Sequence, residues 1–470
     1  MSLSDPASLA AGEPDLVAPD PPTHDHSPPT ASLDRRIWGL AVPAISEQLL
    51  QTALILVDTF MVAWLGSATL AASAVAGIIV WRTHMTFGCV ERGTTAMVAR
   101  YYGEGSNDKV GRTVAQSLYL AVLLGIVMMV GGILLARHCY LWMGAAEDVT
   151  TTGVPFLTLI FFASVPRMIA FVGSAALRGS GDTRSPMWIT LGMNVVNTVG
   201  NYILIYGHFG APRLGLLGSG ISTALSLTFC AVATVAVMLS GRSHFRLHAY
   251  HFRPDWRIMK TLTRLGLPSF IEEAMISFGF LIFFGYIAHL GTTALASHAL
   301  STRIESVSFM AGFGFTIAAA TLVGQSLGAG NVELARRAFR RTTMYCVIVM
   351  TSIAIALIFA GPYIIQAFHP EEDVRDLTYA LLLLAAIEQP LMGIFMTVAG
   401  GIRGAGDTIT PMITSFVGNI LMRIFVVYWL AFTLGWGIYG VYVGTIIDWM
   451  IRTAMIFAIY HRGRWTRIKL

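Results

Sequence analysis

Residues 177–187 read LRGSGDTRSPM, and residues 402–412 read IRGAGDTITPM, 225 positions later. At that same offset Pro43 meets Pro268 and Glu47 meets Glu272. Leu65-Gly66 meets Leu290-Gly291, Leu70-Ala71 meets Leu295-Ala296, and Gly103 and Gly105 meet Gly328 and Gly330. Chance does not hold such a register over most of a chain, so the sequence is two homologous halves. Each string reads as the end of one helix and the start of the next. Arg178 and Arg403 suit the negative end of a helix dipole, and Gly179 and Gly181 permit a left-handed turn. Asp182 or Thr183 can cap the following helix, whose first turn accommodates Pro186. A phosphate-cradling glycine loop would need a Lys-Ser/Thr after it and a strand before it, and neither is present.

Composition sets the environment. Of 470 residues, 55% are hydrophobic and only 12% charged, and the mean hydropathy is +0.66. Soluble domains carry about 25% charged residues. The apolar residues are gathered into runs of about 20, enough to cross a bilayer's hydrocarbon core. LAVLLGIVMMVGGILLA (120–136) and VIVMTSIAIALIFAG (347–361) are examples. Twelve such runs are separated by turn-type breaks, near 38–65, 71–92, 114–136, 153–177, 187–207, 217–240, 262–289, 295–322, 342–366, 377–402, 411–434 and 438–460. The predicted fold is therefore an all-α integral membrane protein. Its twelve transmembrane helices form two pseudo-symmetric six-helix bundles around a central cleft. An even number of spans per half gives both halves one orientation, with a pseudo-twofold axis along the membrane normal and a binding site between them near the midplane.

The predicted boundaries are a tail at 1–33, an N-lobe at 34–240, a linker at 241–260 and a C-lobe at 261–470. The tail is rich in Pro, Ala, Ser and Asp, with neither a basic start nor an apolar core, so it reads as disordered rather than as a cleaved signal. His24 and His26 within it read as incidental. Lys and Arg concentrate in 242–264, 336–341 and 462–469. The positive-inside rule then places both termini in the cytoplasm of a multi-pass protein of the cell's inner membrane. The net charge of +5 reflects that topology and not a nucleic-acid partner. Four cysteines lack metal or redox spacing, and no cofactor is implied.

An ionisable residue inside a span is costly, so each needs a partner or a task. Asp58 interrupts TALILVDTFMVAWLG in the first predicted helix. Gln51 lies seven residues back and Glu47 eleven back, both within about 20° of the same face. Glu47, Gln51 and Asp58 thus form one polar stripe running roughly 16 Å along an apolar helix. A carboxyl group at that depth can take a proton from one side and deliver it to the other as a cleft changes sides. In the second half Glu272, Glu273, Arg303, Glu305, Glu388, Arg423 and Asp448 fall in or at the ends of spans. Arg303 and Glu305, two apart, point to different sides of their helix, whereas Asp448 and Arg452, four apart, can pair locally. The set reads as a buried polar network, with Glu273 or Glu388 open to contact with a cationic substrate. Phe280, Phe283, Phe284, Phe309, Phe313 and Phe315 crowd the seventh and eighth helices; flat aromatic surfaces suit lipophilic cations, but each of these residues singly reads as ordinary lipid-facing surface.

Three motifs carry a resemblance. P-x-x-x-E-Q-L-L-Q-T-x-x-x-x-V-D-T-x-M-V (Pro43 to Val62), the twice-used RG-x-GDT-x-x-P, and V-G-Q-x-L-G-A-G (Val323 to Gly330) are similar to those of the multidrug and toxic compound extrusion (MATE) family. The resemblance covers about residues 35–460. It implies a monomeric, cation-coupled antiporter that exports amphipathic, often cationic drug-like compounds by alternating access, not an enzyme. It also implies that Asp58 is the first-helix coupling aspartate. The fifth-helix Asn-x-x-x-Asp pair of some members matches Asn197 and Asn201, so the second acid is missing, and the sixth-helix threonine matches Thr223. The sodium-coupled branch places a glutamate eight residues after the seventh-helix proline and an aspartate eleven before the tenth-helix arginine. Here those positions are Ile276 and Met392. Protons are therefore favoured over sodium. A lipid-linked oligosaccharide flippase of the same superfamily would need a basic cleft, for which Arg303 and Arg423 are the main candidates. A membrane-embedded enzyme would need a catalytic constellation beside His289 or His298, and His298 reads instead as a structural hydrogen-bonding residue.

Overall fold

The computed structural model describes residues 30–468, which form helices and turns with no strand among the described residues. The first bundle comprises α1 (Thr30–Ala63), α2 (Ser67–Phe87) continued after a break by α3 (Cys89–Gly103), α4 (Asn107–Trp142), α5 (Glu147–Phe162) continued by α6 (Ser164–Ser180), α7 (Arg184–Tyr206) and α8 (Leu216–Ser240). The second comprises α9 (Trp256–His289), α10 (Thr292–Gly328), α11 (Val332–Ala367) and α12 (Glu372–Gly404). It is completed by a span from α13 (Ile409–Phe416) to α14 (Arg423–Tyr428), with π-helical turns over Val417–Met422 and Trp429–Thr433, and by α15 (Gly437–Arg462).

Among the described residues, ten helices are long and apolar enough to cross a membrane, and the α5–α6 pair, bent by 48°, makes an eleventh. The twelfth is α7, whose hydropathy is lowered by Asn194, Asn197 and Asn201 and which packs between α1 and α8. The tail expected at 1–33 lies outside the described residues as far as residue 29, and from Thr30 onward the chain is already helical. α9 likewise begins at Trp256, inside the stretch expected to be linker.

The repeated string has the same job in both bundles. Arg178 Nη1 donates to Glu47 Oε1 at 2.8 Å, and Arg403 Nη2 donates to Glu272 Oε1 at 2.6 Å. Each pair ties the first span of its bundle to the fourth. A Cβ at Gly179 would lie 2.9 Å from the carbonyl oxygen of Thr95, and one at Gly404 would lie 2.1 Å from that of Ala320. This glycine therefore sits inside a helix and permits close backbone contact with the second span. It does not form the left-handed turn, contrary to the expectation from sequence. The turn belongs to Gly181 and Gly406, at φ 96° and 97°. Asp182 and Asp407 then cap the next helix, accepting from the backbone N–H of Ser185 and Thr410, each at 2.9 Å.

The two bundles meet about a pseudo-twofold axis. Call the end that carries the start of α1, Ile468 and the linker the basic end. There α3 and α10 cross so closely that a Cβ on Gly103 would lie 2.0 Å from the Gln325 carbonyl oxygen. One on Gly328 would lie equally close to that of Arg100. Around this crossing Arg36 donates to Gln325 at 3.1 Å, Gln325 to the Gly179 carbonyl at 3.1 Å, and Thr321 to the Arg178 carbonyl at 3.0 Å. Among the described residues, hydrogen bonds between the bundles run from this end only as far as Arg82, which donates to Ser277 at 3.3 Å.

Gly103→Ala and Gly328→Ala should each destabilise the bundle interface, by about 1–3 kcal/mol from overpacking. Thermal unfolding in detergent measures this. Gly131→Ala, where a Cβ meets nothing within 4 Å, should leave the midpoint unchanged.

Candidate functional site

Asp58 lies five residues before the end of α1, nearer the far end than the middle of its helix, and is half-buried. Asn201 donates through Nδ2 to the Asp58 carboxylate and to Asn197 Oδ1, the latter at 3.1 Å. Asn197 Nδ2 in turn donates to Thr223 Oγ1 at 3.3 Å. The four-residue spacing on α7 stacks both amides on one face, and both are fully buried. Flanking bonds hold the frame, because Asn194 donates to the Leu50 carbonyl at 2.7 Å and Tyr206 to that of Met61 at 2.9 Å. Asp58, Asn201, Asn197 and Thr223 are thus one connected chain of polar groups. No basic side chain among the described residues pairs with Asp58. The chain offers a carboxylate and amide and hydroxyl oxygens. That set can hold a proton on the carboxyl group or a small cation against it.

The rest of the expected stripe is divided. Glu47 is 2% exposed and ion-paired to Arg178. Gln51 is half-buried, and no hydrogen bond joins it to Asp58. The stripe is continuous in sequence but serves separate partners in the folded chain.

A second cluster closes the basic half of the cleft. Arg92 of α3 reaches across to α9, lying 2.9 Å from Glu273 and 3.6 Å from Glu272, which also holds Arg403 and accepts from Ser415 at 2.6 Å. Glu273 is therefore an inter-bundle contact and only 8% exposed. Sequence reasoning passed over Arg92, because the predicted second span stopped there. The structure breaks that helix at Gly88 and resumes it at Cys89. Three charges in WRTHMTFGCVER were the available signal.

The other C-lobe charges gather around Asp448, and Glu388, expected to be open to substrate, is only 8% exposed. Asp448 accepts from Arg452 at 2.6 Å and from Arg423 at 3.0 Å, and both guanidinium groups also lie over the Trp449 ring. Glu388 is buried beside Thr445, Glu305, Arg423 and Asp448. Glu305 accepts from Ser301 at 2.8 Å. His298 hydrogen-bonds the Tyr442 hydroxyl at 3.0 Å, a structural contact. Arg303 is the exception. It is exposed on α10, and no ion pair engages it among the described residues.

Two homologous six-span bundles with ionisable groups at their junction define the architecture of a membrane transporter. The MatE family model matches residues 43–203 and 268–429, again in the 225-residue register, and the chain belongs to that family. It is 27% identical over 436 residues to the probable multidrug resistance protein NorM of Thermotoga maritima, covering 92% of this chain and 93% of that one. It is 29% identical over 405 residues to the multidrug resistance protein MdtK of Yersinia pseudotuberculosis, covering 84% and 85%. Its fold matches a solved outward-facing MATE family transporter with TM-score 0.85 at 20% sequence identity, over 93% of this chain and 96% of that one.

Removing one partner of a buried pair strands the other charge, at a cost of about 3–5 kcal/mol. Arg178→Met alone should therefore sharply lower the thermal midpoint. Arg178→Met combined with Glu47→Leu should recover most of the loss, and a double-mutant cycle on unfolding measures the coupling.

Proposed function

We propose that this protein is a proton-coupled antiporter that exports amphipathic, often cationic organic compounds by alternating access. The observation that carries this reading is Asp58, a half-buried carboxyl group held by amides and free of any arginine. A carboxylate locked to a guanidinium keeps its charge, whereas one held by neutral donors can gain and lose a proton without stranding a partner. The basic half of the cleft is closed by Arg92, Glu272, Glu273 and the α3–α10 crossing. With the basic end in the cytoplasm, as the positive-inside rule places it, the cleft faces outward and Asp58 stands near the side from which protons enter. Protonation there would favour a reclosure of the outer side, with the basic-side cluster parting. The multidrug resistance names of the relatives support the substrate class. So does the aromatic surface that includes Phe280, over which Arg82 lies at 4.6 Å.

Sodium coupling is the second reading, favoured by the amide and hydroxyl oxygens beside Asp58. One carboxylate with neutral oxygens is a weaker cage for a metal ion than two, and no group of three or more acidic, His or Cys residues that could hold a metal occurs among the described residues. A flippase for pyrophosphate-linked lipids is not favoured, because Arg423 is committed to Asp448 and Arg303 lies apart from the cluster.

Proteoliposomes loaded with ethidium separate these readings. Under an imposed pH gradient the wild type should transport ethidium and Asp58→Asn should fall to the rate of empty liposomes. A sodium gradient alone should drive neither. Sodium-driven transport would select the second reading, and unchanged proton-driven transport in Asp58→Asn would move the site to Glu305 and Glu388.

A further inference from the structure

A groove of about 820 Å³ opens on the outer surface of the molecule at its basic end, between α4 of the first bundle and α9 of the second. Its roof is the linker. Gln116 of α4 donates to the Arg253 carbonyl at 2.9 Å and accepts from the Asp255 N–H at 3.2 Å, and Tyr119 donates to the Phe252 carbonyl at 2.6 Å. These bonds draw the linker across α4 and set the start of α9, where Asp255 caps the helix through the Arg257 and Ile258 N–H groups. The groove is thus a recess with three walls of different origin and not an open helix face.

Its lining changes character along its length. Leu120, Leu123 and Leu267 face it on the membrane side, while Lys260 and Arg264 stand towards the linker, with Trp256 at the rim. Residues 256, 260, 264 and 267 fall on one face of α9 at helical spacing, and all four are exposed. Several other cations near this end are committed. Lys109 pairs with Glu104, Arg112 with Asp108, Arg337 with Glu333 and Arg341 with Asp34. Lys260 and Arg264 have no acidic partner among the described residues, although they are one turn apart and repel each other. Among the described residues no acidic residue lines the groove, and Asp255, next to its wall in sequence, is engaged in capping. Two unpaired cations above an apolar slot with an interfacial tryptophan match a molecule with a phosphate head and acyl chains.

We propose that this groove is a specific site for an anionic glycerophospholipid of the basic-side leaflet. Its phosphate sits on Lys260 and Arg264, and its chains lie along Leu120, Leu123 and Leu267. Because the walls belong to different bundles, the lipid ties α4 to α9 in the arrangement seen here. The assignment stands apart from Asp58 and from the identity of the coupling ion.

The test uses the full chain, purified in a nonionic detergent and titrated with dioleoyl phosphatidylglycerol or dioleoyl phosphatidylcholine, with retained lipid counted by native mass spectrometry. Phosphatidylglycerol should be retained in preference to phosphatidylcholine. Lys260→Ala combined with Arg264→Ala should weaken its binding about thirtyfold, a factor of about five for each surface cation. Both positions are exposed, so the variant should keep the lipid-free melting temperature. Arg336→Ala with Arg340→Ala, an equally spaced exposed pair outside the groove, should leave the preference intact. Equal retention of the two lipids would overturn the proposal by showing a groove that reads acyl chains only. Full selectivity in the Lys260/Arg264 variant would overturn it too, as would displacement of the lipid by millimolar inorganic phosphate, which would mark a free-phosphate site.

Discussion

A permanent charge inside an apolar helix bundle is costly unless an opposite charge balances it, and this chain meets that cost at the basic end with one device used in both halves. Glu47 with Arg178, and Glu272 with Arg403, join the first and fourth spans of each bundle at the basic end. The remaining features of the duplicated string follow from that contact. The glycine after each arginine lets the fourth span lie against the backbone of the second, the next glycine turns the chain, and the aspartate starts the fifth span. Each bundle is therefore anchored at the end where the two bundles meet. Their contact there, through Gly103 and Gly328, repeats the same symmetry. A pair that supports its neighbours in this way cannot also change its charge cheaply, which argues for a fixed role for Glu47 and Glu272.

The scaffold is duplicated, but the chemistry is not. The residue of the second bundle that stands 225 positions after Asp58 is Phe283, which is buried and lies under the Arg423 guanidinium at 5.3 Å. The counterparts of Asn197 and Asn201 are Met422 and Val426. The amide-held carboxyl group thus belongs to the first bundle alone. The second places its acids in a different network, where Arg423 and Arg452 balance Asp448 and stand near Glu388. Ion pairs between the two run through Arg92, with Glu272 and Glu273, and through Arg341, with Asp34.

The bundles, their register and the turns between spans were readable because each rests on local pattern: apolar runs of spanning length, and glycines and aspartates at turn positions. The Asp448–Arg452 pair was readable for the same reason, being one helical turn. Partners distant in the chain were harder. Glu47 and Arg178 both recur at the same offset, and two opposite charges conserved in one register were a signal of contact. Read singly, however, Arg178 suited a helix dipole and Glu47 suited a polar stripe. Family likeness, not periodicity, brought Asn197, Asn201 and Thr223 to Asp58, since nothing local says which face of α7 meets α1. Arg303 was drawn into the polar network by its depth in a span, but helix rotation turns it outward.

The central claim is that one carboxyl group on α1 exchanges its proton for substrate. Proton release from the purified protein in weakly buffered detergent solution tests it most directly, with a pH indicator read as ethidium is added. The wild type should release about one proton per protein at a pH where Asp58 is protonated without substrate, and Asp58→Asn should release none. Binding of ethidium by the wild type with no proton released, or equal release by the variant, would contradict the account.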